Sequence, residues 1–397
     1  MNQTYFRKGF GLKREIAGNL AADYHSQLID RIRLSGNSLT VGDITVKLAK
    51  EFGFCYGVDR AVEYAYETET KFPDKRVFLV GEIIHNPHVN AKLEIMRITI
   101  LRPNVAGEFD YSAVTSEDVV IIPAFGVTLR DFQHLRELGC LLVDTTCGSV
   151  LNVWKRVEQY ARDGFTAVVH GKHLHEETKA TASQVRKFAN GRYLIVRDMA
   201  EAEIVCNFIE RGGDTAALEV SFREKVSEGF DFQHDLDHIG IANQTTMLAS
   251  ESLAIADRVA AAMERRFGKA NLSEHFRSFD TICSATQERQ DAVLELIEQP
   301  LDVMLVIGGY NSSNTNHLAK ICSEKRTTYH IADASCIDPV GGSIHFKPVG
   351  EMDEVEKANW LDDVLAVGVS AGASTPNNKI GEAIERILQT RGHSIAD

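Results

Sequence analysis

The sequence predicts an α/β protein made of three copies of one unit, each roughly a hundred residues long. Three observations lead there. Three of the seven cysteines, Cys55, Cys147 and Cys283, each follow an apolar or extended segment and open a stretch with helical spacing. A short apolar strand follows each of them, and its polar tip falls 28 to 30 residues after the cysteine. A further strand with a polar tip follows in every unit.

The helical stretches are read from their apolar period. Cys55-Tyr56-Gly57 leads into Val58, Ala61, Val62, Ala65 and Tyr66, and Cys147-Gly148-Ser149 into Val150, Val153, Trp154 and Val157. Cys283-Ser284 leads to Ala292, Val293, Leu296 and Ile297. Two of the approaches share letters, Asp144-Thr145-Thr146-Cys147 and Asp280-Thr281-Ile282-Cys283. The first strand of each unit is expected at Val77–Val80, at 167–169 and at Val303–Ile307. Their tips carry His85-Asn86, His175-Glu176-Glu177-Thr178 and Asn311-Ser312-Ser313-Asn314. The offsets 55 to 85, 147 to 175 and 283 to 312 are 30, 28 and 29 residues. The later strands are expected within 120–125, 239–246 and 365–374, at unequal offsets that mark insertions. The units are therefore drawn as 44–146, 147–282 and 283–397, behind an amino-terminal extension, 1–43.

Composition excludes several classes. Of 397 residues, 43 are Lys or Arg and 56 Asp or Glu, a net charge of −13 with no basic run, which disfavours nucleic acid and anionic membranes as partners. No apolar stretch is long enough to span a bilayer, and the first residues mix charges instead of forming a secretory signal. A cytoplasmic protein is expected. The cysteines show no CxxC pattern, so zinc ribbons and closely spaced cluster motifs find no support. Cys206 and Cys322 lie inside apolar or helical runs, and Cys140 and Cys336 lack the turn-helix context. Those four read as structural.

In parallel α/β sheets, ligands gather at the carboxyl ends of strands. A thiol at a helix amino end meets free N–H groups and the positive end of the dipole, which favour the metal-binding thiolate. Three such thiols without a fourth fit either zinc or a 4Fe-4S cluster with one iron lacking a protein ligand. Zinc completed by His85, His175 or an acid stays open at this point. The strand tips supply hydroxyls and amides from Thr245, Thr246, Ser312, Ser313, Asn314 and Ser374, and imidazoles from His85 and His175. With Gly-rich turns, such groups donate to phosphate oxygens without Lys or Arg. Taken singly, each has a bland reading: a solvated histidine, a helix cap, a turn glycine. Jointly, at matched offsets, a phosphorylated small molecule beside a metal is the better account. Glu177 is the candidate proton carrier, because a desolvated carboxyl holds its proton. Glu82, expected on the strand before His85, is its competitor.

These motifs resemble a known family. Cys55-Tyr56-Gly57-Val58, His85-Asn86, Asp144-Thr145-Thr146-Cys147, His175-Glu176-Glu177-Thr178, Asn243-Gln244-Thr245-Thr246, Cys283-Ser284-Ala285-Thr286, Asn311-Ser312-Ser313-Asn314 and Ala371-Gly372-Ala373-Ser374 resemble, in order, the IspH/LytB family of 4-hydroxy-3-methylbut-2-enyl diphosphate reductases, which end the methylerythritol phosphate route to isoprenoids. Arg7-Lys8-Gly9-Phe10-Gly11 and an insertion around 222–237 look like the longer form of plants and cyanobacteria. The resemblance implies a trefoil of three pseudo-symmetric α/β domains around a 4Fe-4S cluster held by Cys55, Cys147 and Cys283, with one open iron. It implies a diphosphate held by His85, His175, Ser312, Ser313, Asn314 and Ser374. It also implies proton delivery by Glu177, with Thr245 touching both acid and substrate, and a ferredoxin or flavodoxin type of electron donor. One departure stands out: Phe125 occupies the place of a diphosphate-binding histidine of the shorter form, and His88 and Lys92 are the nearby substitutes. Residues 1–43 are left with two readings, packing onto the three units or mediating a homodimer.

Two other classes compete. One is a three-thiolate cluster enzyme, such as quinolinate synthase, that uses its open iron as a Lewis acid without net reduction. The other is a non-catalytic, zinc-stabilised binding module.

Overall fold

Three parallel sheets dominate the computed structural model, which describes residues 4–279 and 281–394. The chain divides into two compact units with interleaved segments. One comprises the residues up to 8, with 74–81 and 98–283; the other comprises 9–73, 82–97 and 284 onward.

The first unit holds two of the sheets. One runs in the order Tyr5–Phe6, Leu141–Asp144, Val119–Ile122, Val77–Val80, Ile98–Leu101, with every neighbouring pair parallel. The other runs Phe276–Ser278, Ile239–Asn243, Thr166–His170, Tyr193–Val196, again all parallel. Their central strands are continuous β-branched and aliphatic runs, buried on both faces, as parallel sheets covered by helices require. The helix Gly148–Arg162 turns Val150, Val153 and Val157 inward. It covers the second sheet together with Ala167, Val169 and Ala242.

The second unit holds a five-stranded sheet in the order Thr327–Ile331, Val303–Ile307, Ala366–Ala371, Ile44–Leu48, Ser38–Val41. Its first four strands are parallel and the last is added as an antiparallel hairpin through Gly42. Thus Ile44–Leu48, from the segment just ahead of Cys55, lies in the sheet formed by the carboxyl-terminal strands. A small antiparallel sheet, Ile337–Asp338, Ser343–Phe346 and Val355–Ala358, is appended. The helix Ser284–Ile297 buries Ala292, Val293, Leu296 and Ile297 against one face of the main sheet. Leu28, Ile29 and Ile32 join Ile380, Ile384 and Ile387 on the other.

The extension is therefore absorbed piecemeal. Its first described strand edges one sheet, while residues 9–12 follow the helix Tyr56–Lys71, where the buried carboxylate of Glu67 accepts the N–H groups of Phe10 and Leu12. No helix among the described residues is long and apolar enough to cross a membrane.

Close packing leaves no slack at Gly240. A Cβ there would come within 2.4 Å of the Tyr160 ring, and that ring is pinned because its hydroxyl donates to the Ile241 carbonyl at 2.8 Å. Gly240→Ala is expected to cost on the order of 1–3 kcal/mol, read as a lower urea midpoint at unchanged m value.

Candidate active site

All three singled-out cysteines stand where a strand gives way to a helix. Cys55 caps Tyr56–Lys71 and Cys147 caps Gly148–Arg162. Cys283 immediately precedes Ser284–Ile297. All three are half-buried and form no disulfide. By contrast Cys140, Cys206 and Cys322 are buried, and burial pushes their thiols up to about 11, 11 and 12. Cys336 is half-buried beside the Tyr310 hydroxyl.

In the first unit the Cys147 turn is fixed from several sides. The Cys147 N–H donates to Ala124 O at 3.0 Å, and Thr145 donates through both N–H and hydroxyl to Ile122 O. Asp144 Oδ1 accepts the Thr146 N–H at 3.0 Å and its hydroxyl at 2.5 Å, while Oδ2 accepts the Tyr5 hydroxyl. The shared letters Asp-Thr before the cysteine therefore describe a hydrogen-bonded turn, although Asp280 of the second copy lies outside the described residues. Thr281, two residues before Cys283, donates its hydroxyl to Asn243 at the tip of Ile239–Asn243. The Cys283 thiol donates to Ser149 Oγ at 3.4 Å. Cys147 also receives hydrogen bonds from Ser149 and from the Val150 N–H, so one serine serves both sulfurs. Burial, joined by the charge of Cys283, raises the Cys147 thiol, and the helix N–H groups pull it down.

The same unit brings His175, Glu177 and Thr245 together. The helix Glu176–Ser183 is capped by an imidazole: His175 Nδ1 accepts the Glu177 N–H at 3.1 Å. That bond puts the proton of neutral His175 on Nε2. Glu177 is 1% exposed, and its Oε1 accepts the Thr245 N–H at 2.5 Å. Phe125 packs edge-on against His175, with ring centroids 5.7 Å apart. Sequence reasoning missed Gln244, the fastener of these loops. Its fully buried Oε1 accepts from the Lys172 N–H and the Thr178 hydroxyl, and its Nε2 donates to Thr246. A long amide directly ahead of Thr245-Thr246 was the available signal.

In the second unit the tips of Val303–Ile307 and Ala366–Ala371 meet the turn at His85. Ser312 caps the helix Ser313–Ser323, accepting from the Thr315 N–H. Asn314 Oδ1 accepts the Ala373 N–H at 2.9 Å, but Asn314 Nδ2 is buried with no hydrogen-bond partner. A buried donor without a partner is uncommon and marks this tip as a candidate contact for an acceptor. The Ser374 hydroxyl donates to His85 O at 3.1 Å, and Asn86 Nδ2 donates to Ser374 O at 2.8 Å. Cys55 joins the same tip, its N–H donating to Ala373 O at 3.2 Å.

Three expectations change here. The strand Val77–Val80 ends before Glu82, so Glu82 is a tip residue after all, with Oε2 on His85 Nδ1 at 2.9 Å. His88 Nε2 is engaged by Asp333 at 2.7 Å, and Lys92 Nζ by Asp23 at 2.7 Å. Neither is free to replace the histidine missing at Phe125.

A family model described as LytB protein matches residues 46–388. The chain belongs to the LytB family. Its LytB relatives include the 4-hydroxy-3-methylbut-2-enyl diphosphate reductase of Thermosynechococcus vestitus, 47% identical over 392 residues, covering 98% of this chain and 96% of that one. The enzyme of the same name from Gloeobacter violaceus is 47% identical over 396 residues, covering 98% and 94%. Among solved structures, an (E)-4-hydroxy-3-methyl-but-2-enyl diphosphate reductase, described as the terminal enzyme of the non-mevalonate pathway, aligns with TM-score 0.53 and 28% identity, over 86% of this chain and 98% of that one. The Plasmodium falciparum reductase aligns with TM-score 0.63 over 86% and 87%. At 19% identity it speaks for the LytB fold alone.

The unfilled amide of Asn314 depends on its neighbour's packing. A Cβ on Gly372 would stand 2.0 Å from Thr315 Oγ1. Gly372→Ala is expected to push Thr315, and Asn314 with it, out of place and to weaken binding of inorganic pyrophosphate by about tenfold or more, equivalent to roughly 1.4 kcal/mol. Titration calorimetry with the full chain checks this.

Proposed function

We propose that this chain is an iron–sulfur oxidoreductase, a 4-hydroxy-3-methylbut-2-enyl diphosphate reductase that removes the allylic hydroxyl of its substrate as water with two electrons and two protons. The observation that carries this reading is the 47% identity to reductases of that name over nearly the whole chain.

The donor set fits the centre such a reaction needs. Three half-buried thiols stand at helix starts, outside disulfides, and two of them lean on one serine. Cys55, Cys147 and Cys283 would hold a 4Fe-4S cluster, leaving one iron without a protein ligand. When bound, that centre supplies electrons one at a time and a Lewis acid for the substrate oxygen.

The rest is the work of the chain's own side chains. The diphosphate is held by Asn314 Nδ2, by the hydroxyls of Ser312, Ser313 and Ser374, and by the imidazoles of His85 and His175. His175 donates from Nε2, because Nδ1 is occupied by the Glu177 N–H. Ser374 redirects its hydroxyl from the His85 carbonyl to a phosphate oxygen. Glu177, buried and oriented by the Thr245 N–H, carries a proton to the departing hydroxyl. Thr245 contacts both the acid and the substrate. Placing the second proton at one or the other end of the allyl unit gives isopentenyl or dimethylallyl diphosphate. Phe125 offers no hydrogen bond, so the diphosphate here relies on one donor fewer than in the shorter form.

Electrons come from a ferredoxin or flavodoxin type of donor in the cytoplasm. The division at 44, 147 and 283 into three domains around the centre belongs to this reading. Burial of Leu28, Ile29 and Ile32 in the core supports packing, rather than a homodimer, as the role of residues 1–43.

The reading is tested by anaerobic purification with iron and sulfide counts, followed by turnover of the hydroxylated diphosphate with and without a chemical reductant. Zinc in place of iron, or turnover without reductant, would sink it. Serine at 55, 147 or 283 is expected to abolish or destabilise iron binding, whereas serine at 140, 206, 322 or 336 leaves iron content near that of the unaltered chain. Glu177→Gln is expected to keep cluster and substrate binding while kcat falls about a hundredfold, the usual scale of acid–base contributions. An unchanged kcat would reassign the proton carrier.

A further inference from the structure

One buried cation takes no part in the chemistry above. Arg289, on the helix Ser284–Ile297, is 3% exposed. Its guanidinium makes four hydrogen bonds, every one to a main-chain carbonyl. Nε and Nη2 donate to Gly53 O at 3.1 and 2.9 Å, Nη2 also to Phe54 O at 3.1 Å, and Nη1 to Ala285 O at 2.8 Å. Among the described residues it has no ion pair. One acid, Asp59, reaches it through charge without forming an ion pair; much of Asp59's surface is open, yet desolvation raises its carboxyl.

A buried charge without a counter-charge is costly, and carbonyl dipoles offset only part of that cost. They also fix where the charge sits. Gly53 and Phe54 are the two residues ahead of Cys55, and Ala285 is the second residue after Cys283. The fork therefore grips the turn that carries one proposed iron ligand and the opening turn of the helix that follows another.

We propose that Arg289 is a positioning residue for the iron–sulfur centre, holding a fixed positive charge against the Cys55 turn that favours the centre's reduced form. The proposal rests on the reading that Cys55, Cys147 and Cys283 hold a 4Fe-4S centre. A cluster core bound by three thiolates is anionic, and it becomes more so when it takes one electron from a ferredoxin-type donor. No bond forms or breaks in that step. Reduction potentials of such centres follow net charge, hydrogen bonding and burial. A nearby buried cation therefore raises the potential, and the anionic centre adds to the partial counter-charge that Asp59 supplies.

Two substitutions separate charge from clamp. Arg289→Lys keeps the charge and loses the planar fork, whereas Arg289→Gln keeps hydrogen bonding and loses the charge. The full chain and both variants are loaded anaerobically with iron and sulfide, and iron content and midpoint potential are read by a redox titration followed by electron paramagnetic resonance. The expected result is a potential near that of the unaltered chain in Arg289→Lys, with a shift to more negative values, or loss of iron, in Arg289→Gln. Equal behaviour of the two variants overturns the proposal. If both hold iron at the original potential, the charge is irrelevant; if both lose it, Arg289 is only a clamp. A shift in Arg289→Lys alone overturns it as well. Absence of iron from the unaltered chain would bring down the functional reading, and this proposal with it.

Discussion

A sulfur that is to serve as a ligand has to leave a β-sheet without dragging unpaired backbone with it, and that constraint organises the candidate site. Where the strand ends, its N–H groups lose their ladder partners, yet the side chain must stay uncovered. The Cys147 and Cys55 turns solve this alike. The cysteine N–H donates to a carbonyl just past a strand tip, Ala124 or Ala373, and the next residues enter a helix whose free N–H groups point back toward the sulfur. Around Cys283 the same need is met by side chains, with Thr281 on Asn243 and the thiol on Ser149.

Within each unit the loops that carry the candidate residues are stiffened by polar groups that serve each other. Gln244 binds the loop after Thr166–His170 to the loop after Ile239–Asn243, and Glu177 adds its own bond to Thr245. In the other unit, glycines let threonine hydroxyls lie against the strand ends. A Cβ at Gly308 would meet both Thr375 and Thr315 within 3 Å. Such preorganisation means that a ligand held at these tips would not have to order them first.

Much of this was legible in the sequence, because period and punctuation report local structure. Val303–Ile307 is a strand with the bounds its apolar run suggests, and the three helical faces after the cysteines are the buried ones. Pairing was not legible. Nothing in Ile44–Leu48 announces that its partner is Ala366–Ala371, since strand neighbours are decided by tertiary packing rather than by spacing. The partners of long polar side chains were hidden for the same reason. His88 and Lys92 looked available until Asp333 and Asp23 were seen to claim them. Glu82 was misplaced by two residues of strand, an ordinary error at an element boundary.

The pairing of Ile44–Leu48 with Ala366–Ala371 also dictates when the Cys55 turn can settle. The turn that carries the first cysteine leans on a segment synthesised some three hundred residues later, so on the ribosome it waits without its neighbour. Contacts this distant in sequence form late. The Cys55 turn therefore reaches its final geometry only after the carboxyl-terminal strand has been made.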